Sequence, residues 1–436
     1  MSRMSRVINI ELIRKDTEQV RRALAKRIPD IDLSPIVELD RRRRSLVQDL
    51  DGRRAQRKQL SERIGRGRAT GEDTNALQAE AAPLREEITR LESELGEVEE
   101  RLNVSLAELP NLPDEIVPAG GKENNQVVRV WGEKPVLPSN ALDHVEISTR
   151  LGLVDYSRGT KLGGTGFWIY TGMGAALEWA LIDFFCRTHI KDGYEFVLPP
   201  HLLTEECGYT AGQFPKFRDD VFHLQTAPNE RKRFLLPTSE TAILNIYRDE
   251  IIPWERLPVK MFAYTPCYRR ESGGYRSEER GTVRGHQFNK VEMFQFVAEE
   301  NAVEALKELV GKTEQLMEML GLHHRTSLLA AEDASASMAI TYDVEVWMPS
   351  IGMYKEVSSA SLARDYQARR ANIRTHRPAK KSTEYVVTLN ASGLATSRVF
   401  PAILEQYQQE DGSLRVPEPL RAWLGTDVIR PPAKSK

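Results

Sequence analysis

The residues best suited to chemistry lie in CYRRESGGYRSEERGTVRGHQFNKVEMFQF, from Cys267 to Phe296, where Arg269, Arg270, Arg276, Arg280 and Arg284 crowd around one short loop. Guanidinium groups suit a polyphosphate because they stay charged and donate in a planar fork to two oxygens at once. Cys267 to Arg270 and His286 to Phe296 read as strands, and the Gly273-Gly274 pair supplies a mobile connection between them. Residues two apart on a strand share a face, which puts Phe288, Lys290, Glu292 and Phe294 together. Phe288 offers a surface for stacking an adenine ring, and Glu292 a carboxylate for a substrate ammonium. A charged hairpin facing solvent, with one phenylalanine in the core, is the plainer reading of the same segment.

The rest of the chain must position this cluster. Its 436 residues, 40% of them hydrophobic, are enough for a large core and a second domain. The formal net charge is -2, so an anionic partner has to be met by local basic clusters rather than by the field of the whole molecule. No apolar run approaches the roughly 20 residues that span a bilayer, and MSRMSRVINIELIRKD lacks the apolar segment of a secretory signal, so a cytoplasmic protein is expected. Cys186, Cys207 and Cys267 are scattered without CxxC spacing, which argues against a disulfide framework or a cysteine-rich zinc site. No GxGxxG follows a strand and no GxxxxGK[ST] is present, so a nucleotide would be bound in another way than by Rossmann or P-loop folds.

From Leu77 to Leu109 apolar residues recur at steps of three and four, the seam of a coiled coil. Ile36 to Ile64 repeats the spacing less regularly, with Arg53 and Arg57 at places where apolar residues are expected. GRGRATGEDTNA, Gly65 to Ala76, has no periodicity and reads as the turn of an antiparallel hairpin. At about 1.5 Å per residue each helix reaches on the order of 40 Å, so the arm, about 36–109, projects into solvent. Its first helix is rich in arginine (Arg41 to Arg44, Arg53, Arg54, Arg57) and its second in glutamate. Interhelical ion pairs explain this asymmetry, and so does a nucleic-acid arm whose unpaired arginines meet phosphates; periodicity alone does not choose. PNLPDEIVPAGGKENN, Pro110 to Asn125, ends the helical pattern, so the domains are expected at 1–115 and 116–436. Beyond it, strands such as Phe167 to Gly172 and Lys260 to Pro266 mix irregularly with helices at Ala175 to Thr188 and Ala302 to Leu320. This pattern indicates an antiparallel α+β domain.

The Arg-rich segment resembles motif 2 of class II aminoacyl-tRNA synthetases, in particular that of seryl-tRNA synthetases, where R-x-E is followed by a Gly-rich loop and HQF-x-KVEM. The spacing from Arg269 to Glu292 matches without a gap. LLPTSETAI (Leu235 to Ile243) resembles the T-x-E serine loop of that family, YKEVSSASLARDYQARR (Tyr354 to Arg370) its E-[IV]-S-S strand, NASGLATSRVFPAILEQYQ (Asn390 to Gln408) its motif 3, and GYEFVLPPHLL (Gly193 to Leu203) its motif 1. With the arm, the resemblance covers essentially the whole chain.

The resemblance implies ATP-dependent activation of L-serine and its transfer to tRNA(Ser), by a homodimer that uses Mg²⁺. It implies that Arg269 binds the α-phosphate and the serine carboxylate and Arg398 the γ-phosphate, as the catalytic pair. Thr238, Glu240, Glu292 and Ser392 form the serine site, with Ser239 limited to a backbone contact. Glu271 and Phe288 meet the adenine, Arg270, Val357 and Ser358 complete the ATP site, and Glu356 and Ser359 supply oxygen ligands to Mg²⁺. On the arm, Arg43, Arg44, Arg54 and Arg57 are the implied tRNA contacts, through backbone and shape more than bases.

The chain departs from the family pattern in places. The usual C-S-N after E-[IV]-S-S is Ala360, Ser361 and Leu362, and motif 3 carries Ala391, Thr396, Ser397, Val399, Phe400 and Pro401. Tyr275 and Arg276 are bulkier than the usual loop residues. These changes suggest an altered serine pocket, and hence a specialised paralogue as an alternative to an ordinary synthetase. A non-catalytic tRNA-binding relative is a further alternative, against which the retained Arg269, Glu292, Glu356 and Arg398 speak.

Overall fold

The structure is a computed structural model that describes residues 8–271 and 280–432. Gly273, Gly274, Tyr275 and Arg276 lie outside the described residues. The chain divides into two units, Met1–Pro110 and Asn111–Lys436.

In the first unit, two short helices, α1 (Ile10–Lys15) and α2 (Thr17–Ala25), precede the long pair α3 (Ser34–Thr70) and α4 (Asn75–Glu108). Leu46, Leu50 and Leu60 pack against Leu84, Ile88, Leu91 and Val98 along the seam. The turn is shorter than the sequence indicates, because α3 runs through Gly65 and Gly67 to Thr70. Packing along the seam overrides the weak helix preference of glycine, about 1 kcal/mol per residue. Gly67 is needed small: a Cβ there would meet Thr74 Cγ2 at 2.9 Å. Gly71, at φ +77, then ends the helix. Arg53 pairs with Glu87 at 3.1 Å, Arg54 with Glu92 at 2.8 Å, and Arg42 with Glu94. Asp40, 1% exposed, gathers Arg14 at 2.8 Å, Arg44 at 3.1 Å and Arg43 at 3.6 Å.

The second unit is built on a sheet of β1 (Gln126–Trp131), β2 (Glu195–Val197), β3 (Val259–Tyr268), β4 (Gln287–Val297), β5 (His324–Leu328), β6 (Ile340–Met348), β7 (Met353–Arg364) and β8 (Val387–Ala395). The strand order is β1-β5-β6-β7-β8-β4-β3-β2, antiparallel throughout except for the parallel edge pair β2/β3. The mixture is the expected α+β class with an antiparallel sheet. One face is covered by α6 (Met173–Lys191), α8 (Ala302–Met319) and α9 (Thr396–Tyr407), with the shorter α5 (His144–Arg150) ahead of α6 in the chain and α7 (Glu240–Leu244) ahead of α8. Leu181, Phe185, Leu309, Leu316, Phe400 and Ile403 bury the sheet residues Met293, Val344, Ala360 and Leu362 there.

Strand alternation then decides what the other face offers. Phe288, Lys290, Glu292 and Phe294 share it, but Phe294 sinks into a core with Ile243, Met261 and Phe296. At β8 the pairing with β4 slips: Ser392 faces Glu292 and Ala395 faces Lys290, so an extra residue is accommodated, and Leu394 takes φ +91. Such a bulge re-aims side chains locally at some cost in backbone strain.

Candidate active site

Glu292 is 3% exposed, in mid-strand on β4, and every polar group around it donates. Its Oε2 accepts from the Thr238 hydroxyl, from Ser239 Oγ at 3.1 Å and from the Glu240 backbone N–H at 2.9 Å. Its Oε1 accepts from Lys290 Nζ at 2.7 Å, and Lys290 also donates to Thr238 Oγ1 at 2.7 Å. Burial pushes the Glu292 carboxyl up, but the Lys290 ammonium and the hydroxyl and amide donors outweigh it and hold it below the ordinary carboxylate range. Its neighbour behaves oppositely. Burial, then the negative charge of Glu292, push Glu240 up to about 7, although Gln367 Nε2 donates to it at 2.5 Å.

Arg269, where β3 ends, donates through Nε to the Pro237 carbonyl at 3.2 Å, and its guanidinium lies 5.2 Å from the Phe288 ring centre. Beyond it the chain turns at Glu271, φ +48, whose carboxylate pairs with Arg284 at 2.6 Å. Arg398, in the first turn of α9, donates to the Glu356 carbonyl at 2.8 Å and stands 3.3 Å from the carboxylate of the same residue. Burial raises the Glu356 carboxyl, yet Arg398 and then Arg269 hold it below its usual range. Across the β6/β7 ladder Ser359 Oγ donates to Asp343 Oδ1 at 2.7 Å.

These groups surround a cavity of about 630 Å³, lined by Thr238, Glu240, Glu292, Asn390 and Ser392 among others. A smaller chamber, bounded by Phe288, Val357, Ser397 and Arg398, shares with it a wall of Arg269, Glu271, Arg284, Lys290, Glu356 and Ser392. The larger chamber offers carboxylates and hydroxyls for a small zwitterion and the smaller, toward Phe288 and Arg398, an aromatic face and guanidinium groups of the kind that contact a nucleotide, with cations where the two meet.

Residues 222–407 match the tRNA synthetase class II core domain (G, H, P, S and T), and residues 7–113 match the seryl-tRNA synthetase N-terminal domain. Serine-tRNA ligase 2 of Clostridium acetobutylicum is 54% identical over 97% of this chain and 100% of that protein. This chain belongs to the seryl-tRNA synthetase family. The serine-tRNA ligase of Thermodesulfovibrio yellowstonii is 42% identical over 97% of this chain and 100% of its own length. The crystal structure of seryl-tRNA synthetase from Pyrococcus horikoshii complexed with ATP superposes with a TM-score of 0.92 at 30% identity, covering 98% of this chain and 100% of the other.

Against the seryl-tRNA synthetase pattern, the structure brings Thr238, Glu240, Arg269, Glu271, Phe288, Glu292, Glu356, Val357, Ser359, Ser392 and Arg398 to the walls of the two chambers. Three residues lie differently. Arg270 lines neither chamber and turns its guanidinium to the Asp219 carbonyl at 3.4 Å. Ser358 is buried and donates to the Ser392 carbonyl at 2.5 Å, so it shapes the wall from behind. Ser239, assigned only a backbone contact from the sequence, puts its hydroxyl on Glu292.

The altered residues after E-[IV]-S-S do not all reach the pocket. Ala360 and Leu362 join the hydrophobic core, while the intervening Ser361 lines the larger chamber and lies 3.0 Å from Thr341 Oγ1. Strand parity therefore removes Leu362 as a reason to expect a changed serine pocket. Thr396 is buried and donates to Glu178 at 2.5 Å, and only Ser397 of the motif 3 changes reaches the smaller chamber. Sequence reasoning put Lys290 on the correct face but gave it no role in the site. Its position two residues before Glu292 was the available signal. Gln367 and Asn390, which hold Glu240, lie inside the quoted E-[IV]-S-S and motif 3 stretches but were given no role; for Asn390 its place two residues before Ser392 was the available signal.

Proposed function

We propose that this chain condenses L-serine with ATP to seryl-adenylate and pyrophosphate, and then transfers the seryl group to tRNA(Ser) with release of AMP. The observation that carries this reading is the shared wall, where Arg269 stands between the Glu292 cluster and the chamber of Phe288 and Arg398. The serine ammonium is held by the carboxylates Glu240 and Glu292, with Thr238 and Ser392 beside them. Its hydroxyl meets groups that alanine would leave unpaired, which is where selectivity over alanine arises. The serine carboxylate is then directed at the α-phosphate, and Arg269 neutralises the charge that develops as the new C–O–P bond forms and pyrophosphate leaves. Phe288 stacks the adenine, Glu271 contacts it, and Arg398 holds the far phosphate.

Glu356 and Ser359 present a half-exposed carboxylate and a hydroxyl to the cavity, a hard-oxygen set that fits Mg²⁺ completed by phosphates and water. When bound there, Mg²⁺ would offset phosphate charge. Among the described residues no cluster of three or more histidine, cysteine or acidic residues is arranged to hold a metal alone, so the phosphates would complete the shell.

In the second step a terminal hydroxyl of the tRNA attacks the acyl carbonyl, and AMP departs. The arm supplies the tRNA contacts, with Arg57 foremost because Arg42, Arg53 and Arg54 already face glutamates. Pairing of two copies is supported by exposed Trp179 and Ile190 on α6 and Phe196 on edge strand β2. Among the described residues no helix is long and apolar enough to cross a membrane.

The deciding experiment is serine-dependent exchange of pyrophosphate into ATP, with alanine, threonine and cysteine as competitors, followed by charging of total tRNA. Exchange with serine and transfer to tRNA are expected. A folded protein that shows no exchange with any amino acid overturns the reading.

A further inference from the structure

His144, at the start of α5, is buried and makes two hydrogen bonds through its ring. Nδ1 lies 2.7 Å from Glu405 Oε1, and Nε2 lies 3.0 Å from the backbone carbonyl of Arg280. A carbonyl oxygen only accepts, so Nε2 carries a proton. Glu405 is equally committed to accepting: Ser350 Oγ donates to Oε1 at 2.7 Å, Ser350 N–H to Oε2 at 2.9 Å, and His144 N–H to Oε1 at 3.2 Å. Nδ1 and Glu405 Oε1 are therefore joined through a single shared proton, and the ring is held at both nitrogens.

We propose that His144 is a positioning residue for the smaller chamber, where the nucleotide is placed by the proposed function: held by its hydrogen bond to Glu405, it fixes the Arg280 carbonyl and thereby the chain segment that walls the chamber. Three neighbouring contacts define that grip. Arg280 pairs with Asp143 at 2.9 Å, beside His144 in sequence. Gly281, at φ +72, lies so close that a Cβ would meet His144 Nε2 at 2.6 Å. Thr282 Oγ1 donates to the Ser397 carbonyl at 3.1 Å. From there the chain supplies Val283, Arg284 and Gly285 to the chamber wall, and Val283 accepts from Arg398 Nε at 3.4 Å. The charged groups near the ring are Glu405 on α9, Arg280 on the returning loop, and Asp143 and Glu146 of the α5 cap. Glu405 is fully buried, so its hydrogen bonds to His144 and Ser350 are shielded from water.

Two measurements on the full-length protein test this. In wild-type protein labelled with ¹⁵N-histidine, long-range nitrogen–proton correlation should show Nε2 of His144 carrying a proton, the resonance being assigned by its loss in His144→Gln. In His144→Gln, the KM for ATP in serine-dependent exchange should rise about tenfold, the loss of one hydrogen bond to a charged group, with the KM for serine within about twofold. A ring with Nε2 unprotonated overturns the hydrogen bond to the Arg280 carbonyl, and parallel rises in both KM values overturn the positioning role. The kinetic arm rests on the proposed serine activation and the spectroscopic arm does not. Absence of exchange in the wild type would therefore count against that function alone, while the spectrum still decides the state of His144.

Discussion

Lys290 Nζ lies 2.7 Å from Glu292 Oε1, two positions along one strand, and both side chains are withdrawn from water. Two residues of alternating geometry thus make a buried ion pair at the junction of the two chambers. The pair keeps Glu292 ionised in a place where burial alone would favour the neutral acid.

Replacing Lys290 by Met leaves Glu292 with its hydroxyl and amide donors but without the compensating charge. Removing one partner of a buried pair costs about 3–5 kcal/mol, so the variant is expected to lose roughly 10² or more in kcat/KM for serine in pyrophosphate exchange. Steady-state exchange kinetics check this, and a loss of less than threefold would show that the lysine only fills space.

Glu240 gives a pH dependence of defined sign. Its carboxyl sits at about 7, raised by burial and then by Glu292, so it holds a proton at pH 6 and has mostly lost it at pH 8. A substrate ammonium favours the ionised form. The KM for serine is therefore expected to fall as pH rises from 6 to 8, and Glu240→Gln to flatten that slope. A wild-type KM independent of pH in this window would contradict the role given to Glu240.

Glu178 on α6 makes a separate prediction about stability. Burial raises its carboxyl from 4.5 to about 7, against hydrogen bonds from Thr396 and Asn289 that act to lower it. The folded state binds the proton more tightly than the unfolded chain, so the stability this group contributes is complete below 4.5 and is lost as pH rises through about 7. Glu178→Gln removes the titration while keeping a carbonyl acceptor for Thr396. Melting curves at pH 6 and pH 8 are expected to show a smaller drop for the variant than for the wild type; equal drops would argue that Glu178 is ionised throughout.

The arm arginines separate into two kinds. Arg57 makes no ion pair among the described residues, whereas Arg43 belongs to the Asp40 cluster. Arg57→Ala is expected to weaken tRNA binding, to lower the salt dependence of that binding by about one phosphate contact, and to leave serine-dependent exchange intact. Arg43→Ala is expected to act first on the melting temperature. Filter binding across a salt series, set beside melting curves, distinguishes them, and reversed behaviour would refute the assignment.

Much of the site was legible because its motifs lie within short windows: Arg269 follows the strand that pairs with the strand of Glu292, and the partners of Glu292 come from one T-x-E loop and from Lys290 two residues before it. What escaped was set by pairing between distant segments. Leu362 looked like a pocket substitution because residue type was compared without its strand parity, and the sheet places it in the core. Gln367 reaches Glu240 from 127 positions away, a contact that no local pattern encodes. At the tip of the arm, glycines read as a turn were absorbed by α3, since a helix packed along a seam tolerates residues that an isolated one would not.

The slipped pairing of β8 has a consequence for the tolerance of this chain to change. Ser392 and Ala395 lie opposite Glu292 and Lys290, so three steps on one strand are spent against two on its neighbour. Deleting either residue between them would restore even pairing, but only by moving α9 and Arg398 one residue closer to Ser392. Ser392 and Arg398 are therefore spaced by chain length, and this short segment is sensitive to insertion or deletion as well as to size at Gly393, where a Cβ would run into His189 Nε2.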